Sequence, residues 1–122
     1  MIRTVLARAE PNSALGVGFP IDSAKSYLYN YSVVYEFRWN DHNVEHIAKH
    51  GVEIAEAEHV VQHPDSGFPR AEADGKYLVW GQTAVGRYLQ VVYIFSPASV
   101  VYVIHARNLD EQEKRRLRRR RK

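Results

Sequence analysis

His105 and Arg107 stand two residues apart at the end of an apolar run, Val100-Val101-Tyr102-Val103-Ile104. Two apart on a strand means one shared face. Imidazole titrates near neutral pH, so His105 has the chemistry of a general acid or base. Arg107 follows four apolar residues and must find an anion or water. Asp110 or Glu111 just beyond it would serve as a local partner. Arg87 opens the preceding strand, and in an antiparallel hairpin the start of one strand adjoins the end of the next. A register pairing them would gather Arg87, His105 and Arg107. That cluster suits a phosphodiester, with histidine moving a proton and the guanidiniums stabilising charge on phosphorus. In outline it is a metal-free site for RNA cleavage by 2′-OH attack. The plain alternative is that His105 is a hydrogen-bonded histidine of the core.

His42, His46 and His50 recur every four residues, one stripe of a helix. Two such imidazoles can share a metal. No glutamate occupies the HExxH position and no distant ligand is evident, so we expect a polar helix face and no metal or other cofactor. His46 or His50 is a candidate for contact with a phosphate or a partner, and Lys49 and His50 are candidate RNA-binding residues. The final segment carries eight basic residues and no acid from Lys114 to Lys122, while the rest of the chain holds nine basic and fourteen acidic residues. Such asymmetry points to nucleic acid or an acidic partner. Arg115, Arg116, Arg118 and Arg119 are its candidate RNA-binding residues, and a solvated terminus is the bland reading.

The elements that must position these groups are legible in outline. Val33-Val34-Tyr35-Glu36-Phe37-Arg38-Trp39 alternates as a half-buried strand does. Asn40 or Asp41 can cap a helix over 40–50, and Gly51 stops it. A second helix spans 52–62, with Ile54, Ala57, Val60 and Val61 inward. Turn formers fill 65–75, with a short strand near 68–71. Strands follow at 76–83, 87–96 and 100–107, joined by links short enough for hairpins. A basic helix over 109–122 has Leu117 as its one large apolar residue after Leu109, which gives it little to dock with. The expected fold class is α+β: a small antiparallel sheet, two helices packed on one face, and the basic C-terminal helix. Residues 1–33 lack a sustained period and read as a mostly disordered extension, with a helical turn at 4–9 and a strand fragment at 27–31. Alternatively, translation begins near Val33. The folded domain is 34–122.

The chain has 122 residues and no cysteine, which excludes a disulfide framework and thiol chemistry and suits a cytoplasmic protein. No apolar run approaches the ~18 residues of a membrane span, and the first residues lack the apolar core of a signal peptide. Trp80 and Tyr88 read as core aromatics, with base stacking as the alternative.

From Phe37 onward the chain resembles the BrnT family of type II toxins, small RelE-like ribonucleases. The resemblance lies in Phe37-Arg38-Trp39-Asn40-Asp41, in Lys49-His50-Gly51-Val52, and in the acidic helix Glu53-Ile54-Ala55-Glu56-Ala57-Glu58. It continues through the strand around Trp80-Gly81 to Arg87, and into Val103-Ile104-His105-Ala106-Arg107 with its charged helix. The resemblance implies a RelE-like fold and metal-independent endoribonuclease activity. It also implies a cognate antitoxin of the ribbon-helix-helix type as partner, and catalytic roles for Arg87 and Arg107. Many members carry serine where this chain has His105. A non-catalytic module of the same fold, binding an antitoxin-like repressor and nucleic acid, is the alternative.

Overall fold

A computed structural model describes residues 1–8, 32–97 and 99–120, and the side chains of all of these except 6–8 and 32–34. The chain divides into two compact units, Met1–Arg3 with Glu36–Lys122, and Thr4–Tyr35. Only strand residues of the second are described, 4–8 and 32–35, and the helices and sites below belong to the first. The disordered extension expected over 1–33 falls largely outside the described residues, as does the strand fragment at 27–31. The helical turn expected at 4–9 is not formed over its described part, because Ile2–Arg8 is a strand.

The strands are β1 (Ile2–Arg8), β2 (Ser32–Arg38), β3 (Arg70–Ala71), β4 (Tyr77–Gln82), β5 (Tyr88–Phe95) and β6 (Val100–Asn108). The helices are α1 (Asp41–Ala48), α2 (Ile54–Gln62) and α3 (Glu111–Arg120), with a short 3-10 turn at Ala73–Gly75. The class is α+β, and the sheet order is β1-β2-β6-β5-β4-β3. The three-strand meander matches expectation: β4, β5 and β6 pair antiparallel in sequence, and the short strand β3 adds to β4, also antiparallel. The wholly antiparallel sheet does not. β2 lies parallel to β6, with Phe37 opposite Val101. The reason is the connection: two helices and the strands β3 to β5 separate β2 from β6, so β2 meets β6 through a crossover and not through a hairpin.

Both early helices begin as their sequences dictate. Asn40 caps α1, its Oδ1 accepting from the Asn43 N–H at 3.1 Å while Asn43 Oδ1 accepts from the Asn40 N–H at 2.8 Å. Gly51 ends the helix with φ 71°, a left-handed conformation that glycine adopts without a Cβ penalty. α2 packs on the Gly81 face of the sheet. A Cβ at Gly81 would sit 3.0 Å from the His63 carbonyl oxygen and 3.3 Å from Val60, so only glycine lets the helix end approach. Glu58 is buried on α2 and is satisfied by Arg3 at 2.8 and 3.0 Å and by the Trp39 indole N–H at 3.0 Å.

α3 docks on the opposite face. Neighbouring Trp80 and Gly81 point to opposite sides of β4, and Trp80 packs with Leu109 and Leu117. Leu117 is 1% exposed. The expectation that this helix lacks a docking site is therefore corrected: one leucine suffices because Trp80, Phe68, Leu78 and Tyr88 make an apolar seat for it. Asp110 caps it, its Oδ1 accepting from the Glu113 N–H at 2.8 Å while Glu113 Oε1 accepts from the Asp110 N–H at 2.9 Å. Among the described residues no helix is long and apolar enough to cross a membrane.

Candidate functional site

β2 stops at Arg38, opposite Tyr102, while β6 runs on to Asn108. The edge of β6 is thus open beyond that point, and α1 covers it. The buried Asn43 side chain donates to both the Arg38 and Val103 carbonyls, each at 3.1 Å. Asn43, His46 and Ile47 lie at i, i+3 and i+4 on one stripe of α1, and His50 follows at i+7 in the turn just past the helix. From the Asn43 anchor, the midpoint of His46 and His50 is ~7.5 Å along the helix at ~1.5 Å per residue. His105 is two residues beyond Val103, ~6.6 Å along a strand at ~3.3 Å per residue. The anchor therefore brings both imidazoles level with His105. Ring centroids are 6.0 Å apart for His46 and His50, 5.5 Å for His46 and His105, and 5.1 Å for His50 and His105. Their nearest nitrogens all lie within 4.8 Å of one another. His42 is not part of this group.

A bulge sets the aim of His105. Val92 pairs with His105 and Tyr93 with Val103, so Ile104 is an extra residue on β6. Simple alternation from Val101 and Val103 would place His105 on their face. With the bulge, Ala106 takes that place, fully buried opposite Val91. The core-histidine alternative is set aside by this geometry: His105 is half-buried and meets imidazoles. Burial, then the charges of His50, His46 and Arg107, push its pKa below the ordinary histidine value.

The expected joining of Arg87, His105 and Arg107 is realised only in part. His105 and Arg107 do share a face, through Val92 and Gln90. Arg87 is drawn to α2 instead. Its Nη1 donates to the Gly51 carbonyl and to Glu56 Oε1, both at 2.8 Å, and its Nε donates to Asn108 at 2.8 Å. Arg107 forms a bidentate pair with Glu113, both bonds 2.8 Å, and also donates to Gln90 at 3.2 Å. Its partner is neither Asp110 nor Glu111. Position N3 of a capping box points the Glu113 carboxylate back toward the strand end, which the other two cannot do. Glu113 is held well below the usual carboxylate range, at about 2, first by the hydrogen bond from Arg107. Each guanidinium thus answers a carboxylate on a different helix.

The basic residues divide likewise. Arg116 and Arg119 line a cleft of about 330 Å³ with Arg70, Arg120 and Trp80. The Arg116 guanidinium lies 5.8 Å over the Trp80 ring, and Arg70 and Arg120 lie 4.9 and 5.3 Å over Phe68. No carboxylate lines this cleft. Arg115 and Arg118 are exposed on α3 outside it, and Lys49 caps the far end of α1. Arg70 and Arg120 were not singled out by sequence reasoning. Arg70 sits in the two-residue strand β3, too short for a pattern to mark it, whereas Arg120 shares a helix stripe with Arg116 and was there to be read. A second cleft, between α2 and the β4–β5 turn, is lined by Glu53 and Glu56 and is unsuited to a polyanion.

No protein-family model matches the chain, and no curated protein matches it.

Proposed function

We propose that this protein binds RNA, taking the sugar-phosphate backbone on the arginine cleft of α3. The cleft is the observation that carries the reading: four guanidiniums and no carboxylate converge on one concave surface. Planar guanidiniums held over aromatic rings are pre-set for bidentate phosphate contacts. Trp80 is 5% exposed and already carries Arg116, so its part is to orient that guanidinium, not to stack a base. The resemblance to BrnT toxins supplies the context: a RelE-like toxin of a toxin–antitoxin pair, kept inactive by a ribbon-helix-helix antitoxin.

In its catalytic form the reading includes endoribonuclease action by 2′-OH attack, with Arg87 and Arg107 stabilising the phosphorane. Both are ion-paired at 2.8 Å, with Glu56 and Glu113. A scissile phosphate would first have to displace a carboxylate. That specific observation favours the second form, a non-catalytic module that binds RNA and an antitoxin-like protein.

The test is fluorescence anisotropy with single-stranded RNA across 50–200 mM salt. Four phosphate contacts predict a log–log salt slope of about −2.8, and the Arg116→Gln, Arg119→Gln, Arg120→Gln triple variant should retain about −0.7. Equal slopes for both proteins would sink the cleft as the RNA site. The same samples run on a denaturing gel separate the two forms. Products ending in 2′,3′-cyclic phosphate, lost with Arg107→Gln, establish cleavage, and intact RNA establishes the binding module.

A further inference from the structure

A group of three imidazoles without a carboxylate has a different chemistry from the rest of the molecule. We infer that His46, His50 and His105 form a binding site for a divalent transition-metal ion of the Zn²⁺ type, with its fourth coordination position open to solvent. The site is independent of RNA binding.

The donor set selects the ion class. Neutral imidazole nitrogens suit Zn²⁺, Co²⁺, Ni²⁺ or Cu²⁺, whereas Mg²⁺ and Ca²⁺ require oxygen ligands. One donor from the helix, a second four residues on in the turn that follows it, and a third from a facing strand make a chelating geometry. The nearest nitrogens lie within 4.8 Å of one another. Bonds of about 2.0–2.1 Å at tetrahedral angles bring nitrogens to ~3.3 Å, so side-chain rotation alone closes the remainder. The backbone needs no rearrangement, because Asn43 already pins α1 to Val103 of β6. The bulge at Ile104 supplies the third donor, and so has a purpose that packing alone does not give it. His50 is exposed while His46 and His105 are half-buried, so an ion can enter from the His50 side and keep a water there. Three protein donors and a water is the arrangement of open, reactive zinc sites, as against closed four-ligand structural ones.

Two cations lie near the site by sequence: Lys49, beside His50, is exposed to solvent, and Arg107 is answered by Glu113. The only other ring pair of histidines among the described residues is His59 and His63, stacked at 4.2 Å at the C-terminal end of α2, and it lacks a third donor. That pair is the internal control.

The experiment uses full-length protein without a histidine tag. Zn²⁺ is titrated calorimetrically, and Co²⁺ binding is followed by its visible absorption. The expected result is one ion per chain, with the intense visible bands of four-coordinate Co²⁺. His46→Gln and His105→Gln should each weaken Zn²⁺ binding by more than about tenfold, the lower bound seen for losing even an outer-shell partner. His59→Gln should leave it unchanged. Zn²⁺ should also raise the melting temperature of the wild type and not that of His105→Gln. Absence of stoichiometric binding, or equal binding by wild type and His105→Gln, or loss on His59→Gln, overturns the site. If His105→Gln does not fold, His50→Gln decides: its side chain is exposed, so its fold is secure, and unchanged Zn²⁺ affinity there overturns the site.

Discussion

Glu113→Gln tests whether Arg107 is primarily a clasp between β6 and α3. Glutamine keeps the size of the side chain and can still close the capping box with Asp110, so the substitution removes charge and little else. In the folded protein the Glu113 carboxyl titrates at about 2, against an ordinary value of 4.5. Each pKa unit is ~1.4 kcal/mol, which places the upper bound near ~3 kcal/mol. The Glu113 side chain is 11% exposed but that of Arg107 is 33% exposed, and solvent screening brings the expectation to ~2 kcal/mol. The sign follows from the depressed pKa. The stabilisation is fully present above 4.5 and is lost as pH falls from there toward 2. Urea denaturation at pH 7 should therefore find the variant ~2 kcal/mol less stable. Repeated at falling pH, the gap between the two proteins should close between about pH 4.5 and pH 2. A variant within ~0.5 kcal/mol of wild type at pH 7, the range of an ordinary surface substitution, refutes the clasp. So does a gap that persists in acid.

Two further substitutions probe the frame around the sites. Leu117→Ala removes the buried leucine that seats α3 on Trp80 and should cost ~2–4 kcal/mol in urea denaturation, and an unchanged midpoint would mean that α3 is not docked. Arg87→Gln breaks the pair with Glu56 and the bond to the Gly51 carbonyl. A loss of ~1–2 kcal/mol is expected for a partly exposed group of this kind. A double-mutant cycle with Glu56→Gln should show coupling between the two, and additive effects would contradict the ion pair.

The meander was legible because its signals are local. Alternation, short polar links and a glycine after the first helix all act within a few residues. β2 beside β6 was not legible, since nothing in Val33 to Trp39 says which distant strand it meets or in which direction. The site failed in the same way. His46 and His50 carry a readable spacing, but the third imidazole depends on the Asn43 bond to Val103 and on one extra residue in β6. A single-residue bulge reverses the face of every later residue on its strand, so alternation assigned His105 to the wrong side while keeping it correctly with Arg107. The partners of the two arginines were hidden for a related reason. Glu56 and Glu113 are ordinary acidic residues near helix starts, and only the packing of each helix turns them toward a strand end.

The cations of this chain consequently fall into two kinds. Arg3, Arg87 and Arg107 each meet a carboxylate on a helix, Glu58, Glu56 and Glu113. Arg70, Arg116, Arg119 and Arg120 have no ion pair among the described residues. On α3 the free guanidiniums also repel one another, since Arg116 stands three and four residues from Arg119 and Arg120. The helix dipole offsets part of this at its C-terminal end, and Leu117 with the Asp110–Glu113 cap supplies the rest. A bound polyanion would relieve the repulsion without touching either support. Ligand binding and helix stability are therefore linked in α3: polyphosphate should stabilise this helix, whereas it has no such effect to exert on the arginines already answered by carboxylates.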